Sequence, residues 1–358
     1  MAHLVARLTM RVLVTGHAGY IGAVLAPFLE DRGHEVVGLD CGLFDETAFG
    51  DDSRLRRLPA LRRDLREVEA PDLEGFDAVV HLAGLSNDPL GDLDPRLTVD
   101  INEDGSVRLA RLAKQAGVAR FLFSSSCSNY GAAGDAPLDE TADFNPVTPY
   151  AVSKVRFEQE LERLAGDDFS PTSLRNATAY GASCRLRLDL VLNNLVGWAH
   201  TTGRVRLLSD GTPWRPIVHI EDISRAFAAI LEAPREKVHA QAFNVGRTSE
   251  NYRIRELAEI VAETIPGTVV EIAPGAGPDK RNYRVDCSKL DRALPEWAPQ
   301  WDARRGAREL YDAYRAVGLT KELFDGPRYK RLAWIQELQR QGRLDPHLRW
   351  VAPAAAAR

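Results

Sequence analysis

Val12-Leu13-Val14-Thr15-Gly16-His17-Ala18-Gly19-Tyr20-Ile21-Gly22 is an apolar run that breaks into three glycines spaced three apart. A helix-forming stretch follows over 23–32, and a second apolar run, Val36-Val37-Gly38-Leu39-Asp40, closes on an acid. The order is strand, glycine turn, helix, strand, acid. A tight turn feeding a helix N-terminus aims backbone N–H groups and the positive end of the helix dipole at an anion. Each glycine has its own use: to permit the turn, to let a diphosphate approach the backbone, or to let helix and strand pack closely. A carboxylate at Asp40 is placed to accept hydrogen bonds from a ribose and repels a 2′-phosphate. The stretch therefore predicts a dinucleotide site that takes NAD in preference to NADP.

The same texture continues outward. Residues 78–83 and 120–124 read as strands, with helical periodicity over 102–116 between them, ending at Gly117. A helix over 149–165 and a strand over 171–175 come next. Strands alternating with helices predict an α/β fold, a doubly wound parallel Rossmann sheet covered on both faces. After Gly181 the segments shorten and turn-rich stretches appear, as in Ser209-Asp210-Gly211-Thr212-Pro213-Trp214. This predicts a dinucleotide-binding domain over 1–180, with 217–246 returning to it, and a smaller C-terminal α/β substrate domain over 181–350. Residues 351–358, rich in alanine, read as a disordered tail. The helical stretch 328–348 fits a lid, a dimer contact or simple packing, and residues 1–9 read as a dispensable extension.

Composition sets limits. A net charge of −5 over 358 residues supplies no basic field for nucleic acid. The four cysteines form no CxxC pattern, so neither a zinc site nor a disulfide framework is indicated and no metal is expected. Apolar runs are too short to cross a bilayer, and no signal-peptide layout precedes the first strand. A cytoplasmic enzyme without membrane contact is the expectation.

Chemistry enters with Tyr150-Ala151-Val152-Ser153-Lys154, a phenol and an ammonium four apart on one helix face. To act as a base near neutrality a phenol must fall by roughly 3 pKa units, about 4 kcal/mol. A neighbouring ammonium can supply part of this, and the cationic ring of bound NAD⁺ more. Upstream, Ser124-Ser125-Ser126-Cys127-Ser128-Asn129-Tyr130-Gly131 follows a strand and puts hydroxyls at its carboxyl end. There Ser126 is placed to hydrogen-bond a substrate hydroxyl that Tyr150 deprotonates.

With these residues in hand, the chain resembles the extended short-chain dehydrogenase/reductases, the nucleotide-sugar epimerases and dehydratases, over about 11–316. Its pattern is nearest to the UDP-galactose 4-epimerase branch. The GxxGxxG of that family matches Gly16, Gly19 and Gly22, with Tyr20 and Ile21 inside it, and its ribose acid matches Asp40. Its adenine-contacting pair matches Asp64-Leu65, its His-Leu-Ala strand appears as His81-Leu82-Ala83, and its helix asparagine matches Asn102. Its catalytic triad matches Ser126, Tyr150 and Lys154. The resemblance implies NAD as cofactor, held by these residues, and a nucleoside-diphosphate sugar as substrate. Ser86, Cys127, Ser128, Thr178, Asn194, Arg215 and Arg281 are the implied substrate contacts. A homodimer joined through a four-helix bundle of 102–116 and 149–165 is also implied.

The implied reaction is 4-epimerisation through a transient keto sugar with no net redox change. A reductase of 4-keto sugar nucleotides, consuming NAD(P)H, is the alternative, and a non-catalytic NAD-binding scaffold a remote one. The 4,6-dehydratases carry Asp-Glu directly after the triad Ser/Thr, where this chain has Cys127 and Ser128, so water elimination lacks its acid and base. The family motif Arg-x-x-Asn-x-Tyr-Gly runs here as Arg175-Asn176-Ala177-Thr178-Ala179-Tyr180-Gly181, with threonine in the asparagine place. The base, the sugar and the epimerised carbon are not set by the sequence.

Overall fold

The computed structural model describes residues 9–277 and 282–351. Its main sheet has seven parallel strands: β1 (Arg11–Thr15), β2 (Glu35–Asp40), β3 (Ala60–Arg62), β4 (Ala78–His81), β5 (Arg120–Ser126), β6 (Ser170–Asn176) and β7 (Gln241–Val245). Their spatial order is β7-β6-β5-β4-β1-β2-β3. Connections run outward in both directions from the β1/β4 pair, which opens a crevice at the carboxyl ends of those strands. The strands are apolar on both faces because helices cover both. Val12, Val14 and Val80 join the core beneath helices Gly22–Asp31 and Ile220–Glu232. Leu13, Val79 and Phe121 face the other core with helices Gly105–Gln115 and Pro149–Leu164.

Helix Ile220–Glu232 and β7 bring the chain back to the main sheet. Trp214–His219 instead joins a separate sheet, parallel to Thr178–Tyr180 and antiparallel to Asn251–Arg253. A second unit packs helices Val191–Thr202, Ile254–Thr264 and Ala303–Val317 around Leu192, Leu257 and Leu310. The last segment leaves that unit. Ile335, Leu338, Leu344 and Leu348 bury themselves against Leu85, Leu90 and Leu97, on the loops that follow the sheet. Burying an apolar stripe drives this docking.

No helix among the described residues is long and apolar enough to cross a membrane. The cysteines are free thiols.

Candidate active site

A cavity of about 690 Å³ runs along the carboxyl ends of the strands, between the sheet and the second unit. The glycine loop forms one wall. Gly16 has φ +73°, and a Cβ there would sit 2.8 Å from Ala83 N, so the β1 turn and the segment after β4 approach without a side chain between them. A Cβ on Gly22 would lie 2.2 Å from Gly16 O. Only glycine lets helix Gly22–Asp31 start that close to the turn. Gly19 N donates to Gly16 O at 3.0 Å, and a Cβ on Gly19 meets nothing nearer than that same oxygen, at 3.1 Å. The loop thus offers a bare backbone at the head of a helix, which fits a diphosphate. Leu82, Ala83 and Ile21 line the same wall.

Asp40, at the end of β2, also lines the cavity. Its carboxylate accepts from Ala18 N at 3.2 Å and Gly42 N at 2.8 Å, which fixes its orientation. Burial pushes its pKa up, against the pull of the Gly42 amide and His17. Asp64 lines the cavity further out and grips Arg66 through both oxygens, the shorter contact being 2.6 Å. Leu65 is buried beside it. The arrangement suits an adenosine: a carboxylate for the ribose, with an apolar residue and an acid beyond it.

The three catalytic candidates meet at the far end. Ser126 caps the turn Cys127–Tyr130, accepting from Ser128 N at 3.1 Å. Tyr150 lines the cavity with Ser126, whose hydroxyl favours the phenolate. Lys154 donates to Ser124 O at 2.8 Å and lies 5.6 Å from the Tyr150 ring centre. The electrostatics differ from the expectation in one respect. Burial, with the negative charge of Asp88, pushes the Tyr150 phenol up to about 12, and the Ser126 hydroxyl and Arg187 only partly offset this. Burial also brings Lys154 down to about 8, with Glu158 opposing. The same dry environment disfavours both charges, so the ammonium alone does not bring this phenol toward neutrality.

A buried carboxylate holds the triad loop in place. Glu158, one turn beyond Lys154, accepts from Ser125 Oγ, from Asn129 Nδ2 at 2.9 Å, and from Arg175 Nη2 at 2.9 Å. Both partners of the Glu158–Arg175 pair are more than nine-tenths buried. Glu158→Ala leaves a guanidinium buried without its anion, and we expect it to lower unfolding stability by about 3–5 kcal/mol, read from urea denaturation. Glu158→Gln, which keeps the acceptor oxygen, should cost less.

Ser86, Ser128, Thr178, Asn194 and Arg215 all line the cavity. Arg281 lies outside the described residues. Two other assignments differ. Cys127 is fully buried with its thiol directed to Arg175 O at 3.1 Å, and it faces away from the cavity. Burial pushes that thiol up, so it is a packing residue. Asn102 stands behind the wall, where its side chain accepts from Leu85 N at 2.7 Å and donates to Leu85 O at 3.0 Å. It shapes the loop after β4 rather than lining the cavity. Tyr20 lines the cavity, but its hydroxyl donates to Gly181 O at 2.7 Å and ties the glycine loop to the second unit.

Sequence reasoning missed Arg187, Asp189 and Asn176. Arg187 and Asp189 lie two apart in the turn ahead of helix Val191–Thr202, and their bidentate pair has both contacts at 3.0 Å. Arg187 also donates to Ser86 Oγ at 3.2 Å, and Asn87 Nδ2 to Asp189 at 2.8 Å. Asn176 donates to Ser124 Oγ at 3.0 Å, and its own Oδ1 is buried without a partner. The asparagine shifted two places along the family motif is therefore still at the site.

Comparison with known proteins agrees with this geometry. UDP-glucose 4-epimerase of Mycolicibacterium smegmatis is 30% identical, over 86% of this chain and 99% of that protein. UDP-glucuronic acid decarboxylase 1 of Arabidopsis thaliana is 28% identical, over 87% of this chain and 71% of that protein. The structure of MoeE5 in complex with UDP-glucuronic acid and NAD superposes with a TM-score of 0.74 at 27% identity, over 86% of this chain and 99% of that one. The model of the NAD dependent epimerase/dehydratase family matches residues 12–246. The chain belongs to that family, the extended short-chain dehydrogenase/reductases acting on nucleotide sugars.

Proposed function

We propose that this chain is an isomerase, a nucleotide-sugar 4-epimerase that works by transient oxidation at C4. The observation that carries the reading is the meeting of Ser126, Tyr150 and Lys154 at the end of the cavity, with the Lys154 ammonium 5.6 Å from the Tyr150 ring centre. Bound NAD supplies the acceptor and donor of hydride, and its cationic ring adds the charge that the buried phenol lacks.

Ser126 holds the C4 hydroxyl. Tyr150 Oη takes its proton on oxidation and returns a proton when the keto group is reduced from its other face. Lys154, anchored on Ser124 O, keeps the ring in register. Gly16, Gly19 and Gly22 receive the dinucleotide's diphosphate and Asp40 its ribose. Arg215, nine-tenths buried and lining the cavity, receives the sugar nucleotide's diphosphate. Thr178, Asn194, Ser86 and Ser128 contact the sugar nucleotide. A planar guanidinium suits the diphosphate role. Similarity to two UDP-sugar enzymes of different outcome, an epimerase and a decarboxylase, supports a UDP-sugar substrate. Ser128, in the place of a dehydratase's glutamate, argues against elimination.

A homodimer through helices Gly105–Gln115 and Pro149–Leu164 is part of this reading. The exposed faces of those helices carry Arg108, Arg111, Arg156 and Arg163, so the bundle would be joined by charged as well as apolar contacts. Light scattering in low and high salt measures it.

The test of function is incubation of the NAD-loaded protein with a panel of sugar nucleotides, followed by NMR of the products. The reading expects a C4 epimer without loss of NAD. Stoichiometric cofactor consumption with a keto substrate would establish the reductase instead.

A further inference from the structure

The C-terminal segment lies over the dinucleotide end of the cavity and is tied there along its length. Trp334 Nε1 donates to Leu43 O at 2.8 Å and Trp350 Nε1 to Cys41 O at 2.7 Å, both on the loop that follows Asp40. Arg66 Nη1 donates to His347 O at 3.0 Å, and Arg343 and Arg349 pair with Glu46 and Glu67. These five polar partners, Cys41, Leu43, Glu46, Arg66 and Glu67, are on the segments after β2 and β3, beside the ribose and adenine acids.

Arg331, at the start of the helix Arg331–Arg340, is the one guanidinium this segment sends inward. It is 2% exposed. Nη2 donates to Arg185 O at 3.1 Å, the guanidinium carbon lies 3.8 Å from the Phe44 ring centre, and Nη1 has no partner. No carboxylate among the described residues lies within ion-pair distance of it. Its nearest charged neighbours are mixed: Arg185 and Arg187 repel it, Asp40 and Asp189 attract it, and burial with that repulsion brings it down to about 9. A buried, underpaired cation is costly in the free protein, and an anionic oxygen entering the cavity relieves that cost.

Resting on the proposed NAD-dependent reading, we propose that Arg331 is a ligand of the bound dinucleotide's diphosphate, and that the segment 328–351 is a strap that retains the cofactor. The placement of Phe44 and of the strap anchors beside Asp40 selects the dinucleotide over the substrate's own diphosphate. In an enzyme whose cofactor must not leave between oxidation and reduction, such a strap slows release.

The experiment compares wild type, Arg331→Met, Arg331→Lys and Trp350→Phe as full-length chains, with NAD alone and UDP alone as probes, by calorimetry and thermal melts. Arg331→Met is expected to weaken NAD roughly 10- to 100-fold with UDP affinity unchanged. Its cofactor-free melting temperature is expected to be equal to wild type or higher, with a smaller NAD-induced rise. Arg331→Lys recovers part of the NAD affinity, and Trp350→Phe speeds NAD release. NAD affinity within twofold of wild type in Arg331→Met overturns the proposal, as does a loss confined to UDP. A lower cofactor-free melting temperature with an unchanged NAD-induced rise assigns Arg331 a purely structural role and also overturns it. A wild-type chain that binds UDP but not NAD instead overturns the functional reading, and this proposal with it.

Discussion

Tyr150→Phe should lower kcat roughly 10²- to 10⁴-fold, the range that general acid–base groups contribute, and leave NAD affinity nearly unchanged. The substitution deletes one oxygen. It removes the proton acceptor, while the ring keeps its place over Lys154. Because the phenol is held protonated up to about 12 in the cofactor-free protein, wild-type activity depends on charge brought in by the cofactor. The loss should therefore appear in kcat rather than in KM. Single-turnover oxidation of a sugar nucleotide by the NAD-loaded variant measures it. A rate equal to wild type removes Tyr150 as the base.

Gly22→Val should abolish useful NAD binding. Its Cβ would lie 2.2 Å from Gly16 O and 2.6 Å from His17 Cα, both backbone atoms that cannot swing aside. The turn must open, and the amides and helix terminus that receive the diphosphate move with it. A loss of at least about 100-fold in affinity, roughly 3 kcal/mol, is the expected result by calorimetry. Gly19→Ala is the informative companion. Its Cβ meets only Gly16 O, at 3.1 Å, so the fold tolerates it, and weakened NAD binding there reports approach of the ligand itself. Equal affinity in both variants would place the dinucleotide elsewhere.

The sheet was legible because its signals are local. An apolar run, a glycine turn and a second run ending in Asp40 specify β1, the first helix and β2 without reference to distant residues. The spacing of Tyr150 and Lys154 put them on one helix face, and the structure keeps them there. What was not legible depends on where a chain goes after a turn. Ser126 ends an extended strand, but the tight turn Cys127–Tyr130 rotates Cys127 into the core and leaves Ser128 on the cavity. Residue order alone does not carry that rotation. Asn102 falls in a widened helical turn, Val99–Asp104, which points its amide at Leu85 rather than into the cavity. A helix within 328–348 was visible, though it spans only Arg331–Arg340 and turns follow it. Its destination was not, because an apolar stripe of Ile335 and Leu338 suits any complementary surface. The raised phenol likewise has no signature in sequence, since desolvation depends on everything packed around it.

The most direct measurement is an ultraviolet pH titration of Tyr150, isolated as the difference between wild type and Tyr150→Phe, with and without bound NAD. The account predicts a phenolate that forms near pH 12 without the cofactor and several units lower with NAD⁺ in place. A midpoint that stays near its cofactor-free value when NAD⁺ is bound would contradict it.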